Sequence, residues 1–266
     1  MTEAGASTVD AAEVARFAAL AETWWDPRGP MRPLHALNPV RIAYLRDAIA
    51  ARFARDATMP RPLSGLTVLD IGCGGGLLCE PLSRLGARVV GIDAGAEAIA
   101  VARAHAAESD LEIDYRETTA EALAAGEARF DAVLAMEIVE HVADLDAFVA
   151  AAAALVAPGG ILVMATLNRT AQALALAVVG AEYLLGWLPR GTHDWRRFVR
   201  PAELARRLRR AGLTVGDAVG VRYRPLTADW GLGRDLSANY MMTATRPRCA
   251  SPLSRRGGEA REGGRR

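Results

Sequence analysis

The sequence predicts an α/β fold in which a mainly parallel sheet is covered by helices on both faces. From about residue 66 onward, short apolar segments typical of buried strands alternate with segments of helical periodicity. This alternation is the pattern of βαβ units. The 266 residues, of which 51% are hydrophobic, suffice for one domain with a sizeable core. We expect a single domain over residues 10–246 and disordered ends at 1–9 and 247–266, where a hydrophobic pattern is missing.

The N-terminal part is predicted to be a helical extension that precedes the sheet. Residues 10–22 have helical spacing of their apolar side chains. The next stretch, WWDPRGPMRPLH, contains three prolines and is predicted to be a loop or an extended segment. Asn38-Pro39 then favours the start of a helix, because the first turn tolerates proline, and an apolar stripe continues to about Ala54.

Seven segments have the length and apolar character of strands. In chain order they are residues 66–72, 87–93, 111–118, 130–137, 161–168, about 214–223 and about 240–245. Helices are predicted at 77–85, after residue 93 to about 108, from residue 144 to the turn at 158–160, and at 201–211. An apolar insertion at 171–199 interrupts the alternation after the fifth strand.

The charge balance and the cysteines argue against several classes of protein. A formal net charge of +1 is too small for a general nucleic-acid binder. The three cysteines form no Cys-x-x-Cys pair and cannot pair evenly, so neither a disulfide framework nor a cysteine-rich zinc site is expected. The N-terminal residues lack the pattern of a secretory signal, and we expect a cytoplasmic protein.

A glycine-rich turn, Asp70–Gly76, follows the first strand. Glycines permit tight turning and close approach of a ligand to the backbone. The turn departs from the dinucleotide pattern, because Leu77 stands in place of the third glycine and Asp70 would repel a pyrophosphate. A ligand with a positive amino group and a sulfonium would be tolerated. Asp93 ends the second strand, where a carboxylate either accepts hydrogen bonds from both ribose hydroxyls or only caps the next helix.

This turn, together with Pro158-Gly159-Gly160 before the fifth strand, resembles class I S-adenosylmethionine-dependent methyltransferases. The resemblance implies a Rossmann-like, seven-stranded sheet whose last strand is antiparallel, with S-adenosylmethionine as cosubstrate. It places Gly72 and Gly74 under the cofactor with Asp70 beside them, and Asp93 on the ribose. It also places Met136 against the adenosine or methionine part, although methionine at this position is equally compatible with the core. Thr119-Ala120-Glu121 would lie near the adenine.

Further segments resemble the ubiquinone biosynthesis O-methyltransferases, over about residues 13–243. They are Phe17 with Trp24-Trp25-Asp26, Pro33-Leu34-His35, Asn38–Arg41, Met136–Val142, Thr166–Arg169, Val178–Tyr183, Gly191–Trp195 and Asn239–Met241. The family methylates phenolic oxygens of polyprenylated intermediates, namely 2-polyprenyl-6-hydroxyphenol and 3-demethylubiquinol. The resemblance also implies a place in a ubiquinone-biosynthesis complex, and Arg41 at the cofactor carboxylate, which suits a guanidinium fork. Without the resemblance, Arg41 would be read as part of a solvated helix face.

Glu137, Glu140 and His141 follow the fourth strand at the expected ligand edge. A phenol has a pKa of about 10, so its methylation near neutrality needs a base or a metal ion. The resemblance implies that the three side chains bind Mg²⁺ or a similar ion, although ligands that are all oxygen would suit Mg²⁺ better. Alternatively, His141 is a general base that the glutamates orient, or the residues only cap a helix and cover the cofactor. His193-Asp194 is a second candidate dyad, or a structural hydrogen bond.

The insertion contains an almost wholly apolar run at 171–189. Its length approaches the roughly 20 residues of a transmembrane helix, but Glu182, two glycines and many alanines argue against spanning. A buried core helix, a substrate lid and a helix on the membrane surface remain as interpretations. Tryptophans and arginines nearby suit a lipid headgroup boundary. We therefore predict contact of residues 171–197 with an anionic membrane surface, at the inner face of a bacterial membrane.

Overall fold

A computed structural model describes residues 8–175, 194–224 and 229–248. The helices in these ranges are Ala11–Ala18 (α1), Arg32–Arg52 (α2), Cys79–Arg84 (α3), Ala96–Glu108 (α4), Ala120–Ala124 (α5), Leu145–Ala154 (α6), Ala171–Ala173 (α7) and Pro201–Arg210 (α8). The strands are Thr67–Ile71 (β1), Arg88–Asp93 (β2), Asp114–Glu117 (β3), Phe130–Met136 (β4), Val156–Leu167 (β5), Thr214–Arg224 (β6), Asp229–Gly233 (β7) and Asn239–Thr245 (β8). Short 3₁₀ helices lie at Ala21–Thr23 and Trp195–Arg197.

The eight strands in the described part of the chain form one sheet in the order β3-β2-β1-β4-β5-β8-β6-β7. Strands β1 to β5 are parallel, and β8 is antiparallel to both β5 and β6. This confirms the mainly parallel sheet with an antiparallel last strand. The predicted count of seven strands was one too low, because β7 pairs with β6 at the edge. Its sequence, DWGLG, contains two glycines, which weaken strand propensity.

The core lies on both faces of the sheet. Leu69 and Val133 pack on one face with residues of α6 and α8. Val68 and Leu134 point to the other face, against residues of α2, α3 and α4. Successive strand residues alternate between faces, so central strands covered on both sides read as continuous apolar runs. The predicted helical cover on both faces is confirmed.

Helix α2 begins seven residues earlier than predicted, at Arg32 rather than near Pro39. Pro33 lies in its first turn, where the missing N–H has no helical partner to lose. Pro39 is inside the helix and removes only a single backbone bond. Complete burial of Leu45 and Ile49 holds the helix against the sheet. The early start matters for the site, because α2 carries Arg41 into the interior.

Several predictions concern parts of the chain outside the described residues, namely 1–7, 176–193 and 249–266. Within the stretch expected to be a disordered N-terminus, Thr8 is only 2% exposed, and its carbonyl accepts a bond from Ala143 N at 2.8 Å. The described structure therefore makes Thr8 part of the packed domain. Among the described helices, none is both long and apolar enough to cross a bilayer.

Candidate active site

A cavity of about 650 Å³ lies at the carboxyl ends of β1, β2 and β4, the edge at which parallel α/β sheets bind ligands. Its walls come from the turns after these strands, from α1 and α2, and from the β6–β8 part of the sheet. All nine residues singled out for the cofactor and catalysis line this one cavity: Arg41, Asp70, Gly72, Gly74, Asp93, Met136, Glu137, Glu140 and His141.

The turn after β1 has a backbone that glycine adopts readily and other residues rarely do. Its φ angles are 72° at Gly72, 51° at Gly74 and 89° at Gly76, all in the left-handed region. A Cβ on Gly72 would lie 2.2 Å from Ile138 Cδ1, and a Cβ on Gly74 would lie 2.0 Å from Trp24 Cζ2. A side chain at either position would strain the turn and collide with the cavity wall.

Asp93, at the end of β2, fixes this turn. Its Oδ2 accepts a hydrogen bond from Gly74 N at 3.0 Å, and its Oδ1 accepts one from Gly95 N at 2.8 Å. Burial raises the pKa of Asp93, and these backbone bonds oppose the rise. The carboxylate thus joins the glycine turn to the start of α4 while it lines the cavity. The local bonding and the predicted ligand-binding role are compatible.

Asp70 is 2% exposed and combines a place in the cavity wall with an internal hydrogen bond. The thiol of Cys79 donates to its Oδ2 at 3.4 Å. Burial raises the pKa of Asp70 to about 7, although the bond from Cys79 acts in the opposite direction. A carboxyl here suits a positively charged ligand better than a phosphate.

Arg41, Glu137 and Asn239 form a polar network in another part of the wall. Arg41 is 3% exposed, and its guanidinium pairs with Glu137 Oε1. The amide nitrogen of Asn239 donates to the same oxygen at 2.7 Å. Glu137 has a φ of 57°, which is uncommon for a residue with a Cβ. Such strain is typical of functional sites, where the surroundings enforce it.

Two atoms of this network are buried without a hydrogen-bond partner among the described residues. They are the donor Nε of Arg41 and the acceptor Oδ1 of Asn239. Buried polar atoms are almost always paired, so an unpaired donor and acceptor in a cavity wall indicate ligand contacts. Asn239 was missed as a site residue. It begins β8, and its 102-residue separation from Glu137 gives no local pattern, although Asn239–Met241 contributed to the family resemblance.

Residues 137–141, which follow β4, form the reactive segment of the cavity. Glu140 is its most deeply buried carboxyl, with 3% exposure. The Thr166 hydroxyl donates to its Oε2 at 2.7 Å, whereas its Oε1 is buried without a partner in the described structure. Burial, with a smaller contribution from the charge of Glu137, raises the pKa of Glu140 to about 7. A carboxyl of this kind can exchange a proton near neutral pH.

His141 is paired with the N-terminal helix. Its Nδ1 lies 2.9 Å from Glu13 Oε2, and the Phe17 ring makes an edge contact with the imidazole at 5.3 Å between centroids. Burial alone would lower the pKa of His141, but the bond to Glu13 and the charges of Glu13 and Glu140 raise it. The base hypothesis named Glu137 and Glu140 as the orienting groups. The carboxylate bonded to Nδ1 is instead that of Glu13.

The three side chains predicted to bind Mg²⁺ each have a hydrogen-bond partner within the protein. Glu137 Oε1 is engaged by two nitrogen donors, Glu140 by a hydroxyl, and His141 by a carboxylate. Across the described ranges, no group of three or more His, Cys, Asp or Glu side chains is placed to hold a metal. Binding of Mg²⁺ by these three side chains stays a prediction.

The N-terminal extension closes one side of the cavity. The Thr8 hydroxyl donates to Glu121 Oε1 at 2.7 Å, and Asp10 pairs with Arg197 at 2.9 Å. Residues of α1 and of the segment after it form part of the cavity wall. The extension is therefore a structural part of the site.

The remaining predicted residues have less specific surroundings. Met136 ends β4, is 8% exposed and lines the cavity, as do Thr119-Ala120-Glu121. Asp194 Oδ1 accepts a bond from Arg196 N at 2.9 Å and caps a 3₁₀ helix. His193 lies outside the described residues, so its pairing with Asp194 stays a prediction.

Comparisons with known proteins identify the relatives of this chain. A family model described as a methyltransferase domain matches residues 41–217. The chain is 57% identical over 247 residues to the ubiquinone biosynthesis O-methyltransferase of Chelativorans sp., covering 93% of this chain and 98% of that protein. It is 58% identical over 240 residues to the protein of the same name from Methylobacterium sp., covering 90% and 96%.

Solved structures support the fold. A magnesium protoporphyrin IX methyltransferase from Synechocystis PCC 6803 with bound SAH is similar with a TM-score of 0.54 and 21% identity, over 78% of this chain and 85% of that one. An S-adenosylmethionine-dependent methyltransferase from Clostridium acetobutylicum gives a TM-score of 0.60 at 11% identity, over 87% and 99%. At such low identity these likenesses show the fold alone.

Proposed function

The chain belongs to the ubiquinone biosynthesis O-methyltransferase family, and we propose that it transfers the methyl group of S-adenosylmethionine to phenolic hydroxyls of polyprenylated ubiquinone precursors. The acceptors we expect are 2-polyprenyl-6-hydroxyphenol and 3-demethylubiquinol. One observation carries the proposal: a single cavity joins the glycine turn and Asp93 to the buried carboxyl of Glu140. The proposed nucleoside site and the proposed proton acceptor thus lie in one cavity.

For the cosubstrate, we assign Asp93 to the ribose hydroxyls and Gly72 and Gly74 to close backbone approach. We assign Arg41 to the methionine carboxylate, because its Nε is a buried hydrogen-bond donor that has no partner among the described residues. Asp70 supplies a carboxyl near the cationic groups, and Met136 an apolar surface. When bound, S-adenosylmethionine supplies an electrophilic methyl group on its sulfonium.

We assign the removal of the phenolic proton to Glu140. The phenolic oxygen forms a bond to the methyl carbon as the carbon–sulfur bond breaks, and the hydroxyl proton passes to Glu140 Oε1. The products are a methyl ether and S-adenosylhomocysteine. Support comes from the unpaired, buried Oε1 and from a pKa of about 7, which suits general-base catalysis near neutrality.

His141 is the second candidate base, favoured by one observation. Its Nδ1 is bonded to Glu13 at 2.9 Å, and a carboxylate at one ring nitrogen orients an imidazole for proton transfer at the other. The pH dependence of turnover in variants of the two residues separates the two bases.

We further propose that residues 171–197 contact an anionic membrane surface, where a polyprenyl substrate resides. Support comes from the apolar run at 171–189, from Leu174, which is 36% exposed, and from the exposed Arg196. Leu174→Glu and Arg196→Glu should weaken cosedimentation with anionic vesicles, and unchanged binding would exclude this surface. Peripheral attachment at the inner face of a bacterial membrane and membership of a ubiquinone-biosynthesis complex stay predictions.

Calorimetry with S-adenosylhomocysteine, followed by a transfer assay with a catechol analogue, tests the activity. The proposal predicts both binding and methyl transfer. A non-catalytic scaffold subunit would bind the nucleoside without transfer to any acceptor, and a methyltransferase for another small molecule would transfer to that acceptor but not to the catechol analogue.

A further inference from the structure

The orientation of the Asn239 side-chain amide is fixed by its neighbour. Asn239 lies opposite Leu167 in the β5–β8 pairing and lines the cavity. Its Nδ2 is 2.7 Å from Glu137 Oε1, which also pairs with the Arg41 guanidinium. Since a carboxylate oxygen only accepts hydrogen bonds, the amide nitrogen must face Glu137. The amide oxygen, Oδ1, is the atom that remains.

This remaining Oδ1 atom is a buried acceptor without a partner in the described part of the chain. A buried acceptor that stays unpaired costs free energy, which a ligand O–H or N–H would recover. Glu140 Oε1 is a second acceptor at the same cavity that has no partner among the described residues. The cavity therefore offers two acceptors to a ring that carries two hydroxyls, one of which gives up its proton.

We propose that Asn239 determines the choice of phenol, because its Oδ1 accepts a hydrogen bond from a second hydroxyl ortho to the one that is methylated. The inference rests on the proposed function, whose two expected acceptors are both vicinal dihydroxy aromatic rings, and it assigns recognition of the second hydroxyl to Asn239. Asn239 touches the substrate in this account but takes no proton from the reacting oxygen. Its contribution is selectivity between diols and simple phenols.

A comparison of two ligands isolates this contact. The wild type and Asn239→Ala, each saturated with S-adenosylhomocysteine, are titrated calorimetrically with 2-prenyl-6-hydroxyphenol and with 3-prenylphenol, which keeps the hydroxyl to be methylated and lacks the second hydroxyl. The wild type should bind the diol on the order of tenfold more tightly. In Asn239→Ala this preference should fall to about twofold or less, because the acceptor is gone. The ratio of the two dissociation constants does not depend on the fraction of folded protein.

Asn168 offers a matched control. Its side chain is buried, its Nδ2 donates to Leu236 O at 2.8 Å, and its Oδ1 has no partner among the described residues, but it does not line the cavity. Asn168→Ala should keep the wild-type preference. If Asn239→Ala does not fold, Asn239→Ser removes the same amide with a smaller change of volume.

Three outcomes overturn the inference. If Asn239→Ala keeps the tenfold preference while the wild type methylates the diol, Asn239 does not read the second hydroxyl, and the proposed function still stands. If Asn239→Ala instead weakens S-adenosylhomocysteine binding tenfold with the preference intact, the donor is the amino group of the cosubstrate. If the wild type transfers no methyl group to any phenol, the proposed function fails as well.

Discussion

The carboxylate of Glu13 lies 2.9 Å from Nδ1 of His141, although the two residues are 128 positions apart. The contact joins the N-terminal helix to the reactive segment after β4, and Phe17 of the same helix packs against the imidazole. A carboxylate beside an imidazole favours the charged ring. The N-terminal extension therefore closes the cavity and also influences how the reactive segment titrates.

The pH dependence of turnover identifies the base. Glu140 must be deprotonated to accept a proton, and burial raises its pKa to about 7, so kcat/KM should rise as the pH increases through about 7. Glu140→Gln should lower kcat by about 100-fold or more and remove this rising limb. Steady-state profiles of the wild type and the variant give the result.

Glu13→Gln serves as the control for this profile. It should lower the pKa of His141 in an NMR titration, because the bond that favours the imidazolium is lost, and it should leave the Glu140 limb in place. If Glu140→Gln keeps the limb and His141→Asn removes it, His141 is the base.

The glycine turn should be intolerant of a methyl group for a reason beyond backbone strain. Gly72→Ala places a Cβ 2.2 Å from Ile138 Cδ1 at a φ of 72°, and we predict at least about tenfold weaker binding of S-adenosylhomocysteine. Gly65 has a similar φ of 77° with nothing within 4 Å. Gly65→Ala should cost about 1 kcal/mol of stability and leave affinity within about twofold. If calorimetry gives equal losses of S-adenosylhomocysteine affinity for Gly72→Ala and Gly65→Ala, the collision with Ile138 is not the cause of the loss.

Arg41 should recognise the amino-acid part of the cosubstrate. Arg41→Gln should weaken binding of S-adenosylhomocysteine by about 10-fold to 100-fold, because a charge-assisted bond to the carboxylate is lost. Binding of 5′-methylthioadenosine, which has no carboxylate, should change much less. Since the variant also deprives Glu137 of a partner, the comparison of the two ligands is the informative quantity. A parallel loss for both would place Arg41 away from the carboxylate.

Local patterns predicted the strands, the glycine turn and Asp93, since these depend on neighbouring residues of one βαβ unit. The prediction failed where the signal was weak or the partner distant. Strand β7 was not predicted, because its two glycines weaken the strand pattern. Pro39 suggested that a helix begins there, but α2 begins at Arg32 and continues through Pro39, stabilised by burial of Leu45 and Ile49.

The catalytic neighbourhood was harder to predict than the fold. Glu13 and Asn239 reach the cavity from the two ends of the domain, and each contacts the segment after β4 across more than 100 residues. Helical spacing and an Asn-Tyr-Met string do not reveal such pairings. The family resemblance included segments near both residues, but it did not predict that these segments contact the residues after β4.

Chelation tests whether the side chains after β4 act without a metal. In the arrangement described, Glu137, Glu140 and His141 have separate partners, so transfer should persist within about twofold in excess chelator without added Mg²⁺. Loss of turnover that Mg²⁺ restores would show that the enzyme depends on the ion and would contradict the metal-free account. A chelator control that leaves S-adenosylhomocysteine affinity unchanged excludes general damage.

Transfer of a labelled methyl group from S-adenosylmethionine to a demethylated quinol, with the product identified by mass spectrometry, tests the central claim most directly. The account predicts a labelled methyl ether at a phenolic oxygen, formed together with S-adenosylhomocysteine. A folded enzyme that binds neither nucleoside, or that places the label on carbon, would contradict it.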